Sequence, residues 1–269
     1  MEGRRKTNGT QSLETVFALN ELAMLTEDQG DLIQALAHYQ EALAIARRVA
    51  PASPDLARIL NNLGSLQELR GDLAAAETGM RESLAMRRAL YGNEDANTLR
   101  VEHNLCRVLM VQGQRAAAHD CAADVHERRR KVLGEASPEV DDSRGLVEVL
   151  QPTPERDWLQ DRYEHYRQQG PAQILRAMRF AWLLASVRGE ESDLQRLASL
   201  AKGLREAHGA QSVSAALTEL AYAELAWLLG RPDAMREALA RAEPILDAAL
   251  APEASQRRRM EALQRAGPR

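Results

Sequence analysis

The sequence predicts an all-α chain of paired, stacked helices, and three observations predict it. Alanine and leucine supply most of an apolar fraction of 45%, while aromatics make up only 4%. Both are strong helix formers, and strand-favouring runs of Val, Ile, Thr and Tyr are scarce. A block of anchors also recurs: Leu19-Asn20-Glu21-Leu22-Ala23, Leu60-Asn61-Asn62-Leu63-Gly64 and Glu102-His103-Asn104-Leu105-Cys106. Eight residues after Leu22, Leu63 and Leu105 stand Gly30, Gly71 and Gly113, spaced 41 and then 42 apart. Such a period marks an array of helical hairpins, each of which needs neighbours to bury its apolar faces.

The elements follow in order. Helix A of each unit ends at a Gln-Gly or Arg-Gly turn, and a small residue lies five positions into helix B: Ala35, Ala76, Ala118. Together with Ala23 and Gly64, these small residues let paired helices approach closely. Helix B stops at Tyr91-Gly92, at Leu133-Gly134 and again at His208-Gly209, where glycine accepts the left-handed conformation. Ser53-Pro54-Asp55 and Ser137-Pro138-Glu139 restart a helix: serine caps, proline occupies the first turn, and an acid meets the dipole. Beyond residue 134, a Pro-rich turn at Gln151-Pro152-Thr153-Pro154-Glu155 divides helices over 138–150 and 155–169. Gly189 and Gly230 are the next turn glycines. The expectation is about six hairpins, with turns near 30, 71, 113, 154, 189 and 230. Pro252 opens a last helix over 253–266, rich in Arg and Gln and suited to capping an exposed apolar end. The expected organisation is a flexible tail over 1–11, three regular repeats over 12–134, three divergent hairpins over 135–250, and a capping helix and tail over 251–269.

At these residues the sequence resembles the tetratricopeptide repeat family. The shared features are the Leu-Asn-Asn-Leu-Gly anchor, the glycine turn, the small residue five positions on, and Ala42 or Ser83 late in helix B. The 41–42 spacing and the Ser-Pro-acid connector resemble the longer kinesin-light-chain subtype rather than the 34-residue form. The likeness covers residues 13–140, fades through 141–170 and returns in loose form over 171–250. It implies a right-handed α-solenoid whose A helices line a concave groove. It also implies a non-catalytic scaffold that binds a peptide or partner segment there. In bacteria such arrays stand alone or sit in larger signalling proteins, so a regulatory or sensor region beside a kinase or transcription regulator is the alternative.

By the repeat register, groove-facing positions include Phe17, Asn20 and Met24, then Arg58, Asn61, Asn62 and Ser65, then Arg100, His103, Asn104 and Arg107. An asparagine amide both donates and accepts, so it suits an extended peptide backbone. Arginine adds a charged fork for carboxylate or phosphate. The candidate binding set is therefore Asn20, Arg58, Asn61, Asn62, Arg100, His103, Asn104 and Arg107, with an acidic or C-terminal peptide as ligand. The competing expectation is that the asparagines satisfy neighbouring backbone. The family's carboxylate clamp is incomplete: Asn62 and Arg100 fit two of its positions, Asn20 and Met24 stand where Lys and Asn belong, and Asn104 replaces the last basic residue.

Other features carry blander expectations. The run His126-Glu127-Arg128-Arg129-Arg130-Lys131 reads as a solvated helix end, as does Arg257-Arg258-Arg259. Cys106 and Cys121 lie seven and eight residues either side of Gly113 and face each other across one hairpin. They read as buried free thiols in a reducing compartment, since no further Cys or His falls at a zinc-like spacing. Trp158, Trp182 and Trp227, with Tyr163, Tyr166 and Tyr222, read as core, with a partner or dimer anchor as the alternative.

Several functions are excluded by what the sequence lacks. A net charge of −4 argues against a general nucleic-acid binder. No apolar run reaches the roughly 18 residues of a membrane helix, and no apolar stretch follows the basic start, so the expected location is cytoplasmic. There is no phosphate-binding loop, no nucleophile elbow, no His-Glu-x-x-His and no kinase motif set. Histidines 38, 103, 119, 126, 165 and 208 are scattered singly. The expectation is therefore no enzyme, no cofactor, no metal, and a protein or peptide partner without nucleic acid or membrane; oligomeric state is left open. Lysine occurs only at 6, 131 and 202, the arginine bias of a GC-rich, bacterial genome.

Overall fold

A computed structural model describes residues 12–170, 173–187, 189–250, 252 and 254–266. The expected tail over 1–11 and the start of the expected last helix, Glu253, lie outside the described residues. Among the described residues there are thirteen α-helices and no strand: α1 (Leu13–Asp28), α2 (Leu32–Val49), α3 (Pro54–Arg70), α4 (Leu73–Tyr91), α5 (Ala96–Val111), α6 (Arg115–Leu133), α7 (Pro138–Leu150), α8 (Arg156–Gln168), α9 (Ile174–Ser186), α10 (Glu191–His208), α11 (Val213–Leu228), α12 (Pro232–Ala249) and α13 (Ser255–Ala266). The all-α expectation holds. Packing divides the chain into unit 1, residues 1–140, and unit 2, residues 141–269.

Unit 1 contains three hairpins, α1–α2, α3–α4 and α5–α6, with turns at Gly30, Gly71 and Gly113. The helices begin where short polar side chains cap them: Ser12, Asp31, Ser53, Asp72 and Asp95 each accept from a backbone N–H three residues on. Gly92, which stops α4, has φ 82° and ψ 178°. That extended region with positive φ is open essentially to glycine alone, and it replaces the left-handed helical conformation expected there. Ala23, Ala35, Ala76 and Ala118 are fully buried. At Gly64 a Cβ would come within 2.9 Å of Met80 Cγ and 3.3 Å of the Ala76 carbonyl, so close approach of α3 and α4 requires glycine.

One repeat later the same crossing holds Cys106 and Cys121, and here the expectation of free thiols fails. The two are joined in a disulfide, their Cα atoms 5.6 Å apart. The reason is geometric: Gly64 and Gly79 become Cys106 and Cys121 after 42 residues, and the narrow crossing sets the distance a disulfide needs. The argument for a reducing compartment falls with the free thiols.

In unit 2 the contacts change character. Tyr166 stacks on Phe180 with ring centroids 5.6 Å apart, and Trp158 meets the same ring edge-on at 5.9 Å. Tyr163 and Tyr166 are buried, while the three tryptophans are half-buried. The Pro-rich turn is held by buried Glu148, which accepts from the Glu155 N–H at 2.9 Å. Gly189 does lie in the turn between α9 and α10, but not for its φ. A Cβ there would collide with the Leu225 side chain and come within 2.8 Å of the Ala185 carbonyl. The last helix, α13, buries Met260 and Leu263 and packs on α11 and α12. Its arginines are engaged rather than merely solvated: Arg257 pairs with Asp247, and Arg259 with Glu224.

Candidate functional site

The candidate residues all lie in unit 1, on helices α1, α3 and α5, and the fold sorts them into two rows. Val16, Asn20 and Ala23 form an i, i+4, i+7 stripe, and so do Ala57, Asn61 and Gly64, and Leu99, His103 and Cys106. Each stripe is turned inward, so Asn20, Asn61 and His103 are buried at 0%, 2% and 7% exposure. All three are turned into the packed interior, whereas the register placed them on the groove surface.

The asparagines answer one another. Asn104 Nδ2 donates to Asn61 Oδ1 at 3.0 Å, and Asn62 Nδ2 donates to Asn20 Oδ1 at 3.1 Å. Asn61 Nδ2 reaches Asn62 Oδ1 at 3.4 Å, and Asn20 Nδ2 reaches Glu21 Oε1 at 3.3 Å. The result is a relay of amides across three A helices. Its role is to fix hairpin register, since each buried amide would be costly if left unpaired. Neighbouring side chains, and not the backbone, satisfy these amides.

The second row stays accessible. Phe17, Arg58 and Arg100 occupy one register position on successive A helices, and Met24, Ser65 and Arg107 another. Arg58 lies over the Phe17 ring, 5.2 Å from its centroid, and pairs with Glu21 at 3.1 Å and Asp55 at 3.4 Å. Arg107 pairs with buried Glu68. Arg100 is exposed, and among the described residues no hydrogen bond or ion pair answers it. Partial burial, and then the like charges of Arg87 and Arg58, hold its pKa below the usual arginine value.

Arg87, on α4, was not among the residues singled out from the sequence. It is 6% exposed, its Nε has no hydrogen-bond partner, and no carboxylate among the described residues pairs with it. Its register mate 42 residues on, Arg129, is buried as well but donates to the Glu139 carbonyl at 2.7 Å. The comparison of those two positions was the available signal. Arg58, Arg87 and Arg100 thus gather positive charge, and the last two are unneutralised.

A tetratricopeptide repeat signature matches residues 14–89, and a second matches residues 98–139. Residues 14–139 thus carry tetratricopeptide repeats. Repeats of this kind serve as protein-interaction scaffolds. Solved structures similar to it include a protein of Podosopora anserina described as a kinesin light chain with nearly identical TPR-like repeats. That likeness has 18% identity and a TM-score of 0.47, covering 86% of this chain and 94% of the other. BtubC (BKLC) of P. vanneervenii is similar at 18% identity and a TM-score of 0.41, covering 86% of this chain and 79% of the other. No protein with a curated description matches the sequence.

The basic run of the third repeat is solvated only at its end, where Arg130 and Lys131 are exposed. Arg128 pairs with Glu102 and Asp124, Arg130 with Glu127 and Glu135, and Lys131 with Glu127, while Arg129 is buried. The helix lacks a side-chain cap at Gln114, and these cations tie its far end to α5 and the connectors. Among the described residues no helix is long and apolar enough to cross a membrane.

Proposed function

We propose that unit 1 is a non-catalytic interaction module that captures an acidic segment of a partner protein along the exposed row of its A helices. The observation that carries this reading is Arg100: an exposed guanidinium, crowded by two like charges, with no carboxylate of its own. A ligand carboxylate there relieves repulsion as well as adding attraction. Arg58 and Arg107 flank it with charges already held by Glu21 and Glu68, so they position and steer more than they bind. Phe17 and Met24 offer the apolar contact a peptide needs at the other end of the row. Asn62 and Asn104 remain half-buried beside it, their donor groups committed to the relay.

The test is a peptide-display selection on the intact chain, followed by fluorescence anisotropy of the selected sequences. Acidic peptides are expected to be enriched, and Arg100→Glu is expected to weaken them at least about tenfold, or 1.4 kcal/mol. Selection indifferent to charge, or unchanged binding by Arg100→Glu, overturns the reading.

A further inference from the structure

The contact between successive hairpins of unit 1 is built twice in the same register. Ile59, Leu63 and Leu66 of α3 are buried, and so are Val101, Leu105 and Val108 of α5, none of the six more than 5% exposed. Ala42, Ile45 and Ala46 of α2 pack in the first contact, and Ala76, Met80 and Leu84 of α4 in the second. In both, a B helix packs its small and apolar side chains onto the same face of the A helix that follows, though through different positions of its own.

The matching positions of α1 are Ala18, Leu22 and Leu25, and they are open: Leu22 is 44% and Leu25 59% exposed. The surface that elsewhere seats a helix is presented bare. Its charge is one-sided, for α1 carries Glu14, Glu21, Glu27 and Asp28 and no basic residue. At helical spacing Glu14, Ala18, Glu21, Leu25 and Asp28 share one line, so acids alternate with the apolar side chains.

We propose that this face of α1 docks a basic amphipathic helix of a partner protein, seated as α4 is seated on α5. Two observations choose that occupant. Continuity of register supplies the shape, since the same face takes a helix at α3 and at α5. Charge supplies the sign: a second copy of the chain would set Glu14, Glu21 and Asp28 against the same three acids, whereas a basic helix meets them favourably. The site shares only Glu21, which pairs with Arg58, with the exposed row. Its ligand has the opposite charge and its test residues, Leu22 and Leu25, lie outside that row, so the two readings fail separately.

The probe is a fluorescein-labelled peptide with the α4 sequence, Leu73–Tyr91, stapled on its exposed side at Ala74 and Thr78. It carries the Ala76, Met80 and Leu84 stripe with Arg81, Arg87 and Arg88, and Glu77 and Glu82 are replaced by glutamine so that the peptide is basic. Anisotropy against the intact chain is expected to show saturable binding. The exposed pair Leu22→Asn with Leu25→Asn is expected to weaken it at least tenfold while melting temperature and helical circular dichroism stay as in wild type. Reversing the peptide's arginines to glutamate is expected to weaken it by a similar factor. The proposal is overturned by absence of saturable binding, by equal binding to the double variant, or by equal binding of the reversed peptide. Sedimentation that shows a dimer lost in the double variant also overturns it, because the occupant would then be a second copy.

Discussion

Where α3 crosses α4, the contact is Gly64 against Ala76 and Met80; where α8 meets α9, it is Tyr166 stacked on Phe180. Unit 1 brings backbones together through small residues and links its A helices by amides. Unit 2 fills its gaps with aromatic rings. Buried carboxylates held by arginines occur in both: Glu68 by Arg107 and Glu102 by Arg88 and Arg128 in unit 1, Asp193 by Arg156 and Arg196 and Glu219 by Arg205 and Arg241 in unit 2. The difference teaches why one half repeats visibly and the other does not. A close crossing admits only Gly, Ala or a cysteine pair at fixed positions, so the same residues recur. An aromatic ring solves the same spacing problem in many ways, and the period blurs.

Removing a buried charge should have the largest effect. Asp193 is 1% exposed, accepts from two arginines and caps α10 through the Glu190 N–H at 2.9 Å. Asp193→Ala is expected to cost unit 2 about 3–5 kcal/mol in urea unfolding, because two guanidiniums lose the buried carboxylate between them and Arg156 keeps only exposed Glu190. A loss below about 1 kcal/mol would mean that aromatic packing alone holds unit 2.

Unit 1 has its own staple. Reducing Cys106–Cys121, which closes a loop of 15 residues, is expected to destabilise unit 1 by about 3 kcal/mol and leave unit 2 unchanged. Equal unfolding curves with and without dithiothreitol would show that the small-residue crossing needs no covalent help.

The asparagine relay sharpens the contrast at a smaller scale. Asn61→Ala with Asn104→Ala removes one bonded pair and leaves the Asn62 amide without a donor. A loss of about 1–3 kcal/mol is expected, contrary to a purely ligand-binding role, in which stability would not change.

The last is a pH effect at α1. Burial, offset in part by the Tyr39 hydroxyl and reinforced by Asp28, raises the Glu27 carboxyl from 4.5 to about 7. The folded state therefore favours the protonated acid. Its contribution is whole below about 4.5 and is lost as pH rises through about 7. The melting temperature of wild type should fall, relative to Glu27→Gln, across that window. Parallel profiles would contradict it.

Much of the fold was legible because helix ends announce themselves chemically. Ser53, Gly71 and Gly92 stand where the caps and turns require them, and α7 spans the expected residues 138–150. The site was legible only in part. Asn20 and Asn61 lie one residue from accessible Glu21 and Asn62, and one residue is 100° around a helix, enough to turn a side chain from solvent into the core. Their stripe with Val16 and Ala23, or with Ala57 and Gly64, was the signal for burial. Arg87 stayed hidden because a buried, unpaired arginine is defined by the carboxylate that is missing beside it, which only the packing shows.

The central claim is that Arg100 awaits a partner's carboxylate, and a charge-swap cycle tests it most directly. Affinity is measured for wild type and Arg100→Glu, each with a selected acidic peptide and with that peptide's central acid changed to lysine. Each single reversal is expected to weaken binding about tenfold, and the doubly reversed pair to recover most of it. Additive losses with no recovery, or an Arg100→Glu protein that binds the acidic peptide as wild type does, would contradict the account.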